Sequence, residues 1–298
     1  MAKESSSIKI KREVHTAAHQ KTPIRFQEYG VEIFISITTK SGLKKAIKKG
    51  LIFIDGQCAS TATYITGGES IILYDHPDLD NKKIAKINLD ICYEDDYLAI
   101  INKPAGILVS GNKLKTITNA LPYNLKKSAD KDALAHPQPV HRLDFPTSGL
   151  LLIAKTNHAV IELNRMFEKR QIKKVYHAIA VGNMKKHGKV DTLINDKEAF
   201  TEYQVLSTIE SDKFQKLNLI RLFPTTGRRH QLRIHFSSIG NPILGDAIYG
   251  NDLSRESKNS LYLQASSLEF RHPETKKMLT IEAKLPAKFI KIFRSIKN

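Results

Sequence analysis

The longest uninterrupted apolar stretch in this chain is GLLLIA at 149–154, only six residues long. A helix that spans a bilayer needs about 20 such residues, so we expect no membrane span and no membrane partner. The first residues, MAKESSSIKIKREVH, lack the apolar core of a secretory signal. Hydrophobic residues still make up 41% of the 298 residues, which is enough for a packed core. The pattern predicts a globular protein with one large domain, or with a small domain and a larger one.

The chain contains only two cysteines, Cys58 and Cys92. Two cysteines in a chain of this length indicate a reducing compartment and no disulfide framework, so we expect a cytoplasmic protein. Neither cysteine has a partner at the spacing of a zinc site, and no metal is expected.

The charge of the chain is strongly unbalanced, with 47 Lys and Arg against 30 Asp and Glu and a formal net charge of +17. Such an excess is typical of proteins that bind a polyanion, because neutralising phosphates releases condensed counterions. Nucleic acid is the favoured partner, and an acidic membrane surface is the alternative.

The first 75 residues divide into a tail and a small unit. Residues 1–22 are polar without sustained periodicity, which predicts a flexible basic tail. Within the small unit at 23–75, SGLKKAIKKG at 41–50 predicts a helix that Ser41 caps and Gly50 ends. Its apolar stripe consists of Leu43, Ala46 and Ile47, and its remaining surface carries Lys44, Lys45, Lys48 and Lys49.

The rest of the small unit reads as strands. LIFIDGQ at 51–57 predicts a strand that enters an Asp55-Gly56 turn, and GGESIILYD at 67–75 predicts another. A lysine-rich helix followed by a hairpin resembles the S4 RNA-binding domain, which implies that the four lysines bind RNA. The alternative is an ordinary solvated helix face.

Residues 76–88 are polar, and we expect them to link the small unit to a larger domain at 89–298. Strands are predicted at 97–103, 149–155, 174–182 and 216–223, and a helix is predicted at 155–170. Asn157 is the expected cap of that helix, and its apolar stripe is Val160, Leu163 and Phe167. Because the elements alternate without a βαβ rhythm, the predicted class is α+β with a mixed, mainly antiparallel sheet.

The segment HRLDFPTSGLLLIAKT at 141–156 joins a polar loop to a fully apolar strand. It places Arg142 and Asp144 at the entrance of the strand, where a rigid sheet would hold them. Taken alone, Asp144 is more simply explained as a turn cap or as the partner of Arg142.

A second polar segment, TTGRRHQLRIH at 225–235, overlaps a helix predicted at 227–239. Thr226 is the expected cap and Gly240 the expected end. Its apolar stripe consists of Leu232, Phe236 and Ile239. Arg229 and Arg233, four residues apart, would then share one face. The alternation of polar and apolar residues also permits a strand here.

HRLD followed by TSGLLLIAK closely resembles the signature of the RluA-type pseudouridine synthases. Further segments resemble that family in the same order: YEDDYLAIINKPAGILV at 93–109, RQIKKVYHAIAVG at 170–182, TTGRRHQLRIH at 225–235 and NPILGDAIYG at 241–250. The resemblance covers about residues 89–285. It departs at Arg229, where the family usually has a small hydroxyl residue, and at Ser110-Gly111, where it often has His-Pro. Both departures bear on the RNA contacts.

The resemblance implies an enzyme that isomerises uridine to pseudouridine in structured RNA, with ribosomal RNA favoured over tRNA. The reaction breaks the N1–C1′ bond, rejoins the base through C5 and releases the C5 proton. It requires no cofactor and no metal. By resemblance, Asp144 is the carboxylate that acts at the sugar, and Arg233 holds it ionised in a poorly solvated pocket. Arg228 is the second choice for that partner, and a phosphate-binding arginine cluster is the alternative for both arginines.

The resemblance also assigns roles around the base. Tyr176 is expected to stack on the uracil and to accept the C5 proton, with Arg233 helping the phenol to lose its own proton. Arg142 is expected to fill the gap that the extruded nucleoside leaves, and its alternative is a local ion pair. The other expected substrate-binding residues are Lys103, Arg228, Arg229, His230 and Gln231. We expect a monomer.

Two other function classes compete with this interpretation. A non-catalytic RNA-binding factor would keep the basic surface without needing Asp144, Tyr176 and Arg233 together. A hydrolase would need an activated nucleophile or a metal cluster, and the sequence contains neither GxSxG nor HExxH.

Overall fold

The computed structural model describes residues 11–31, 33–34, 37, 39–74, 84–255 and 260–293. The chain separates into two compact units, Met1–Lys83 and Ile84–Asn298. Within the described ranges, no helix is both long and apolar enough to cross a bilayer.

The N-terminal unit packs two short helices against small antiparallel sheets. Its described elements are β1 (Lys11–Thr16), β2 (Ile24–Arg25), α1 (Phe26–Tyr29), α2 (Lys40–Lys48), β3 (Ile52–Ile54), β4 (Gln57–Cys58), β5 (Tyr64–Ile65) and β6 (Ser70–Tyr74). One sheet has the strand order β1-β6-β3-β4, and β2 pairs with β5. The predicted Asp55-Gly56 turn is confirmed, since both residues have positive φ (47° and 79°), as a two-residue hairpin turn requires.

The predicted flexible tail is wrong where the structure describes it. Residues 11–16 form β1, which pairs antiparallel with β6 over partners such as Val14↔Ile72 and Thr16↔Ser70. Only one face of such a strand needs apolar residues, so the polar composition of this segment did not predict a strand. Residues 1–10 of the predicted tail lie outside the described residues.

Helix α2 carries the lysines that were predicted to bind RNA. Its apolar stripe is confirmed, because Leu43, Ala46 and Ile47 are buried in the core of this unit. Lys44, Lys45, Lys48 and Lys49 are all exposed. The predicted cap is wrong: the hydroxyl of Thr39, two residues before Ser41, accepts the Gly42 N–H at 3.1 Å. Gly50, with φ 64°, follows the end of the helix as predicted.

The larger unit is built on one extensive sheet. Its described elements are β7 (Asp90–Glu94), β8 (Leu98–Lys103), α3 (Ile117–Asn124), β9 (Ala133–Pro139), β10 (Ser148–Thr156), α4 (Asn157–Glu168), β11 (Lys173–Val181), β12 (His187–Val190), β13 (Thr201–Ser211), β14 (Gln215–Pro224), α5 (Gln231–Ser238), α6 (Asp252–Arg255), β15 (Leu263–Arg271), β16 (Met278–Glu282) and α7 (Ala287–Ile292).

The sheet runs in the order β12-β13-β14-β11-β15-β10-β8-β7, with β16 paired to β15 and β9 paired to β10. Among its described pairings, β10 with β15 is parallel and the others are antiparallel. The predicted α+β class with a mixed, mainly antiparallel sheet is confirmed. The four predicted strands appear as β8, β10, β11 and β14.

The parallel pair sets the geometry of the site. Gly149 on β10 pairs with Ala265 on β15, and a Cβ added to Gly149 would lie 2.1 Å from the Ala265 carbonyl oxygen. Gly149 also has φ 113°, which side-chain-bearing residues rarely adopt. Glycine is therefore required for β10 to approach β15 directly after the HRLD loop.

Two further boundaries differ from the predictions. The predicted linker at 76–88 is wrong for its last five residues, because Ala85 and Ile87 pack in the core of the larger unit. Residues 76–83 of that linker lie outside the described residues. Helix α4 is capped by Thr156, whose hydroxyl accepts the Ala159 N–H at 3.1 Å, rather than by Asn157. Of its predicted stripe, Leu163 is buried and Val160 and Phe167 are partly buried.

Candidate active site

Three segments that are distant in sequence meet at one end of the large sheet. Ala265 pairs with Gly149 on one side and with Tyr176 on the other, so the entrance of β10 lies beside the start of β11. The loop at 140–147 precedes β10 and carries Asp144. On its other edge β11 adjoins β14, where Tyr176 pairs with Leu222, and β14 leads into the segment before α5. This topology brings Asp144, Tyr176 and Arg233 together, as the sequence predicted.

These segments enclose a cavity of about 140 Å³. Its lining residues are Arg142, Leu143, Asp144, Thr147, Lys174, Tyr176, Pro224, Leu263 and residues 226–233. A larger cavity of about 500 Å³ shares Arg142, Lys174, Tyr176 and Arg228 with it. The smaller cavity is lined by four arginines, Lys174 and one carboxylate, that of Asp144, which favours an anionic ligand.

Asp144 is partly buried, with 17% of its side chain exposed. One carboxylate oxygen lies 3.7 Å from Nε2 of His230, and the other lies 4.0 Å from Nη1 of Arg233. Both distances exceed a normal hydrogen bond, so the carboxylate is flanked by donors without being tightly held by them. A carboxylate in this setting stays available to a substrate atom.

Arg233 contacts Asp144 at 4.0 Å, as expected of its charge partner, but it does not form a bidentate pair with that carboxylate. The guanidinium of Arg233 donates to Asp246 instead, from Nε at 2.7 Å and from Nη2 at 2.6 Å. Both side chains are almost fully buried, and Asp246 also accepts the backbone N–H groups of Ile248 and Tyr249 at 3.0 Å. Asp246 therefore fixes Arg233, which leaves Nη1 directed towards Asp144.

Arg233 and Asp246 each stabilise the charged form of the other. Burial alone would lower the pKa of Arg233, but hydrogen bonds to Asp246 and the charges of Asp246 and Asp144 outweigh it and raise that pKa. Burial likewise would raise the pKa of Asp246, but the hydrogen bond from Arg233 outweighs it and the pKa is lowered. Arg233 consequently supplies a permanent positive charge beside Asp144.

The helix that carries Arg233 is shorter than predicted. It begins at Gln231, not near residue 227, because His230 has φ 57° and turns the chain in the left-handed region. Arg229 therefore precedes the helix and does not share a helical face with Arg233. Leu232 and Phe236 are buried as predicted, whereas Ile239 is 37% exposed and lies outside the core stripe.

The segment before α5 is held by Gln231, whose predicted role in substrate binding is wrong. Its side chain is buried, and its Oε1 accepts hydrogen bonds from the Thr226 hydroxyl at 2.7 Å and the Arg228 N–H at 3.0 Å. Its Nε2 donates to Phe200 O and to the Thr201 hydroxyl, both at 3.0 Å. The amide has no free position for a ligand, and Thr226 is not the helix cap that its position predicted.

Lys103 is also buried rather than available to substrate. Its side chain is fully buried, and Nζ donates to the carbonyls of Pro104 and Ile107, both at 2.9 Å. A longer contact of 3.4 Å reaches the carbonyl of Phe145, next to Asp144. Burial lowers the pKa of Lys103 to about 8, against the raising effect of Asp144. Lys103 therefore ties the loop that follows β8 to the HRLD loop, and its three contacts leave no donor for the predicted binding of substrate.

Tyr176 lines the cavity, but its environment does not favour a phenolate. Burial, and then the negative charge of Asp144, raise the pKa of Tyr176 well above its usual range. The expectation that Arg233 helps this phenol to ionise is not supported, because the shift is upward. Tyr176 is therefore a neutral phenol that lines the cavity.

The remaining predicted contacts line the cavity. Arg142, Arg228 and Arg229 are exposed and border it, and Arg228 Nε donates to the Glu198 carbonyl at 3.0 Å. In the part of the chain that the structure describes, no carboxylate forms an ion pair with Arg142. His230 also lines the cavity, and its Nδ1 lies 3.0 Å from the hydroxyl of Tyr249.

Four residues of the site were not predicted: Asp246, Tyr249, Lys174 and Thr147. Asp246 and Tyr249 both belong to NPILGDAIYG, a block already singled out in the sequence, and a lone aspartate in that block was the available signal. Lys174 adjoins Tyr176 on the same strand face and lines both cavities. Thr147 carries a buried hydroxyl for which no partner lies within the described residues.

The site offers no metal-binding set. Across the described ranges, no cluster of three or more His, Cys, Asp or Glu side chains could hold an ion.

Comparison with known proteins places these features in context. Residues 97–238 match the model of a family described as RNA pseudouridylate synthase. The chain is 34% identical over 282 residues to an uncharacterised RNA pseudouridine synthase of Aquifex aeolicus, covering 86% of this chain and 88% of that protein. It is also 34% identical over 286 residues to the ribosomal large subunit pseudouridine synthase D of Nitrosomonas europaea, covering 87% and 81%.

A solved structure is similar as well. The human RNA pseudouridylate synthase domain containing 4 superposes with a TM-score of 0.56 at 28% identity, covering 69% of this chain and 92% of that one. The matched family segment begins at β8, includes the HRLD loop and ends with α5, so it contains Asp144, Tyr176 and Arg233.

Proposed function

This chain belongs to the RluA-type RNA pseudouridine synthases, and on that premise we propose that Asp144 is the carboxylate with which it converts uridine to pseudouridine in ribosomal RNA. The chain is an isomerase that acts on RNA. We propose both the residues that carry out the reaction and the RNA that contains the uridine.

The observation that supports the role of Asp144 is its place between two donors on the wall of a cavity. Arg233 lies 4.0 Å from one oxygen and His230 3.7 Å from the other. The reaction needs a carboxylate that is ionised and poorly solvated, so that it acts on the sugar of the extruded nucleoside. The guanidinium of Arg233 places a positive charge beside that carboxylate. Asp246 fixes the guanidinium through two short hydrogen bonds.

The other cavity residues fit the steps around the bond exchange. The N1–C1′ bond breaks, the uracil turns in place, C5 forms the new bond to C1′, and the C5 proton leaves. The ring of Tyr176 offers a surface for the base during that turn, and its hydroxyl is a neutral donor and acceptor. Arg142, exposed at the rim, is placed to stack in the gap that the extruded nucleoside leaves in the RNA.

Ribosomal RNA is proposed as the substrate because of the relatives and the N-terminal unit. The similar protein of Nitrosomonas europaea is named a ribosomal large subunit pseudouridine synthase. The N-terminal unit, which we propose to be an S4-like RNA-binding domain, exposes Lys44, Lys45, Lys48 and Lys49 on α2. We also propose that the protein is cytoplasmic and monomeric and that it acts without a metal.

The test uses RNA that carries tritium at C5 of uridine, because isomerisation releases that tritium. Asp144→Asn should bind RNA with unchanged affinity and release no tritium above background. Asp252→Asn, in the exposed first turn of α6, is the matched control and should release it at the wild-type rate. Release by Asp144→Asn would refute the role of Asp144.

The substrate is tested separately by mapping pseudouridines in total RNA from cells with and without this protein. Loss of one or a few sites in ribosomal RNA, with tRNA sites intact, is expected. Loss confined to tRNA would refute the ribosomal assignment and leave the role of Asp144 untouched.

A further inference from the structure

His230 stands between Asp144 and Tyr249 and has an oxygen facing each of its ring nitrogens. Nδ1 lies 3.0 Å from the Tyr249 hydroxyl, and Nε2 lies 3.7 Å from a carboxylate oxygen of Asp144. The imidazole is 14% exposed, and its backbone turns into α5 with φ 57°. The ring therefore links the Asp144 carboxylate to Tyr249, which was not among the predicted site residues.

The chemistry of these groups selects one tautomer. A neutral imidazole has one N–H donor and one acceptor nitrogen, an ionised carboxylate only accepts, and a phenol hydroxyl does both. Both contacts are favourable when the proton of His230 resides on Nε2 and Tyr249 donates to Nδ1. In the other tautomer the lone pair of Nε2 would face the Asp144 oxygen, which is repulsive.

The charges around the ring are consistent with a neutral imidazole. Burial lowers the pKa of His230, and the positive charges of Arg233 and Arg229 act in the same direction. Asp144 and Asp246 act in the opposite direction without outweighing them. Tyr249 is the remaining titratable group in contact with the ring.

We propose that His230 and Tyr249 are positioning residues for Asp144. The Tyr249 hydroxyl keeps the proton of His230 on Nε2, and this N–H orients one carboxylate oxygen without adding charge, while Arg233 faces the other. This proposal rests on the proposed role of Asp144. The 3.7 Å contact is longer than a normal hydrogen bond, and contacts between catalytic groups commonly tighten in the complex with substrate.

Tyr249 is well suited to a clean test. Its ring packs against the Arg233 guanidinium, whose Cζ lies 5.2 Å from the ring centroid, and its backbone N–H donates to Asp246. Tyr249→Phe keeps the ring and the backbone bond and removes only the hydroxyl. An effect of this substitution would therefore come from the contact with His230.

The tautomer is measured directly by nitrogen NMR of protein labelled with ¹⁵N-histidine, with the His230 signals assigned from their loss in His230→Gln. We expect a protonated Nε2 and an unprotonated Nδ1 in the wild type, and a mixture of tautomers in Tyr249→Phe. A wild-type protein with its proton on Nδ1 would overturn the proposal. This readout is independent of turnover, so it stands even if Asp144→Asn were to stay active and the proposed function failed.

Kinetics test whether the tautomer matters. The amide nitrogen of Gln overlays Nε2 and that of Asn overlays Nδ1, so His230→Gln should keep kcat within about threefold, whereas His230→Asn should lose about tenfold or more. Tyr249→Phe should lower kcat about tenfold with little change in KM, and should cost nothing further in the His230→Gln background. Tyr262→Phe, whose ring packs on Phe289 away from the site, is the control.

Two outcomes would overturn this role. One is an equal loss from Tyr249→Phe in the wild-type and His230→Gln backgrounds, since Tyr249 would then act without His230. The other is equal activity of His230→Gln and His230→Asn, because the position of the donor would then be irrelevant.

Discussion

The guanidinium of Arg233 makes its two short hydrogen bonds to Asp246 and faces Asp144 from 4.0 Å. A direct bidentate bond to Asp144 would satisfy that carboxylate and lower its reactivity. Because Arg233 binds Asp246 instead, its guanidinium is held rigidly and its positive charge lies beside Asp144. The two aspartates thus have different tasks, and substitutions should separate them.

Asp246→Asn should lower both stability and activity, because it leaves the buried Arg233 charge without its anionic partner. Breaking a buried ion pair costs on the order of 3–5 kcal/mol. Asp144→Asn should abolish tritium release but change the free energy of unfolding by less than about 1 kcal/mol, since its contacts are long and partly solvated. Urea denaturation and tritium release measure the two effects. A stable Asp246→Asn variant would contradict the structural role of this pair.

Tyr176→Phe should lower kcat, because it removes a hydroxyl from the cavity, and should leave KM nearly unchanged, because it keeps the ring. Since the pKa of Tyr176 is raised, no phenolate forms in the range in which the enzyme is assayed. The variant should therefore show the same pH profile as the wild type between pH 6 and about 9. Tyr123→Phe, on an exposed side chain, is the control. An alkaline rise in the wild-type rate that disappears in Tyr176→Phe would instead identify a phenolate base.

Arg142→Ala should weaken turnover of a base-paired uridine more than that of the same uridine in a single-stranded loop. Extrusion from a duplex costs a few kcal/mol, and a flat guanidinium in the gap offsets part of it. Arg142→Lys keeps the charge and lacks the planar group, so it should resemble Arg142→Ala on the paired substrate. The comparison of kcat/KM on the two RNAs measures this effect. Equal losses on both would indicate a phosphate contact.

The wild-type protein should lose stability as the pH falls from about 6.5 to about 3, and His141→Gln should lose less. Burial, and then the charge of Lys174, lower the pKa of His141 to about 3 from the usual 6.5. Across that window the unfolded chain binds a proton that the folded chain excludes, so acid favours unfolding. Each pKa unit corresponds to about 1.4 kcal/mol, and because the group is partly exposed we expect a difference of about 1–2 kcal/mol between pH 7 and 4.5.

Glutamine is the matched substitution for that experiment. Nε2 of His141 accepts the Leu152 N–H at 3.0 Å, and the amide oxygen of Gln takes over that bond without titrating. Urea midpoints at the two pH values measure the effect. His177 has a pKa lowered to about 4 by burial and by Arg221, so a parallel His177→Gln variant separates its contribution. Identical acid sensitivity of the wild type and His141→Gln would contradict the prediction.

Replacing Lys44, Lys45, Lys48 and Lys49 with Ser should raise KM for long RNA and leave kcat unchanged. If each lysine contacts a phosphate, the slope of log affinity against log salt should flatten by about 0.7–0.9 per contact. Binding measured at several salt concentrations gives that slope. Replacing four exposed lysines of the larger unit, Lys126, Lys127, Lys185 and Lys186, with Ser controls for the loss of four positive charges. An unchanged slope would show that the surface of α2 does not bind the RNA.

Local patterns predicted the elements that depend on near neighbours. Leu43, Ala46 and Ile47 recur at helical spacing and are buried, and the Asp55-Gly56 pair forms its turn because the backbone there needs positive φ. Two cap assignments failed by only one or two residues, at Thr39 and Thr156, since several hydroxyl and amide side chains compete within each first turn. The sequence blocks around Asp144, Tyr176 and Arg233 are by themselves sufficient to indicate the family.

Local sequence patterns could not predict the contacts between segments that are distant in the chain. Strand β1 exists because β6, more than 50 residues later, completes its hydrogen bonds, and its own residues look like a polar tail. Gln231 carries an amide typical of a binding surface, yet both donors of that amide bind Phe200 and Thr201, which lie far away in the sequence. Arg233 likewise forms its short hydrogen bonds with Asp246 and not with Asp144. In a buried site, the three-dimensional arrangement decides which cation pairs with which carboxylate.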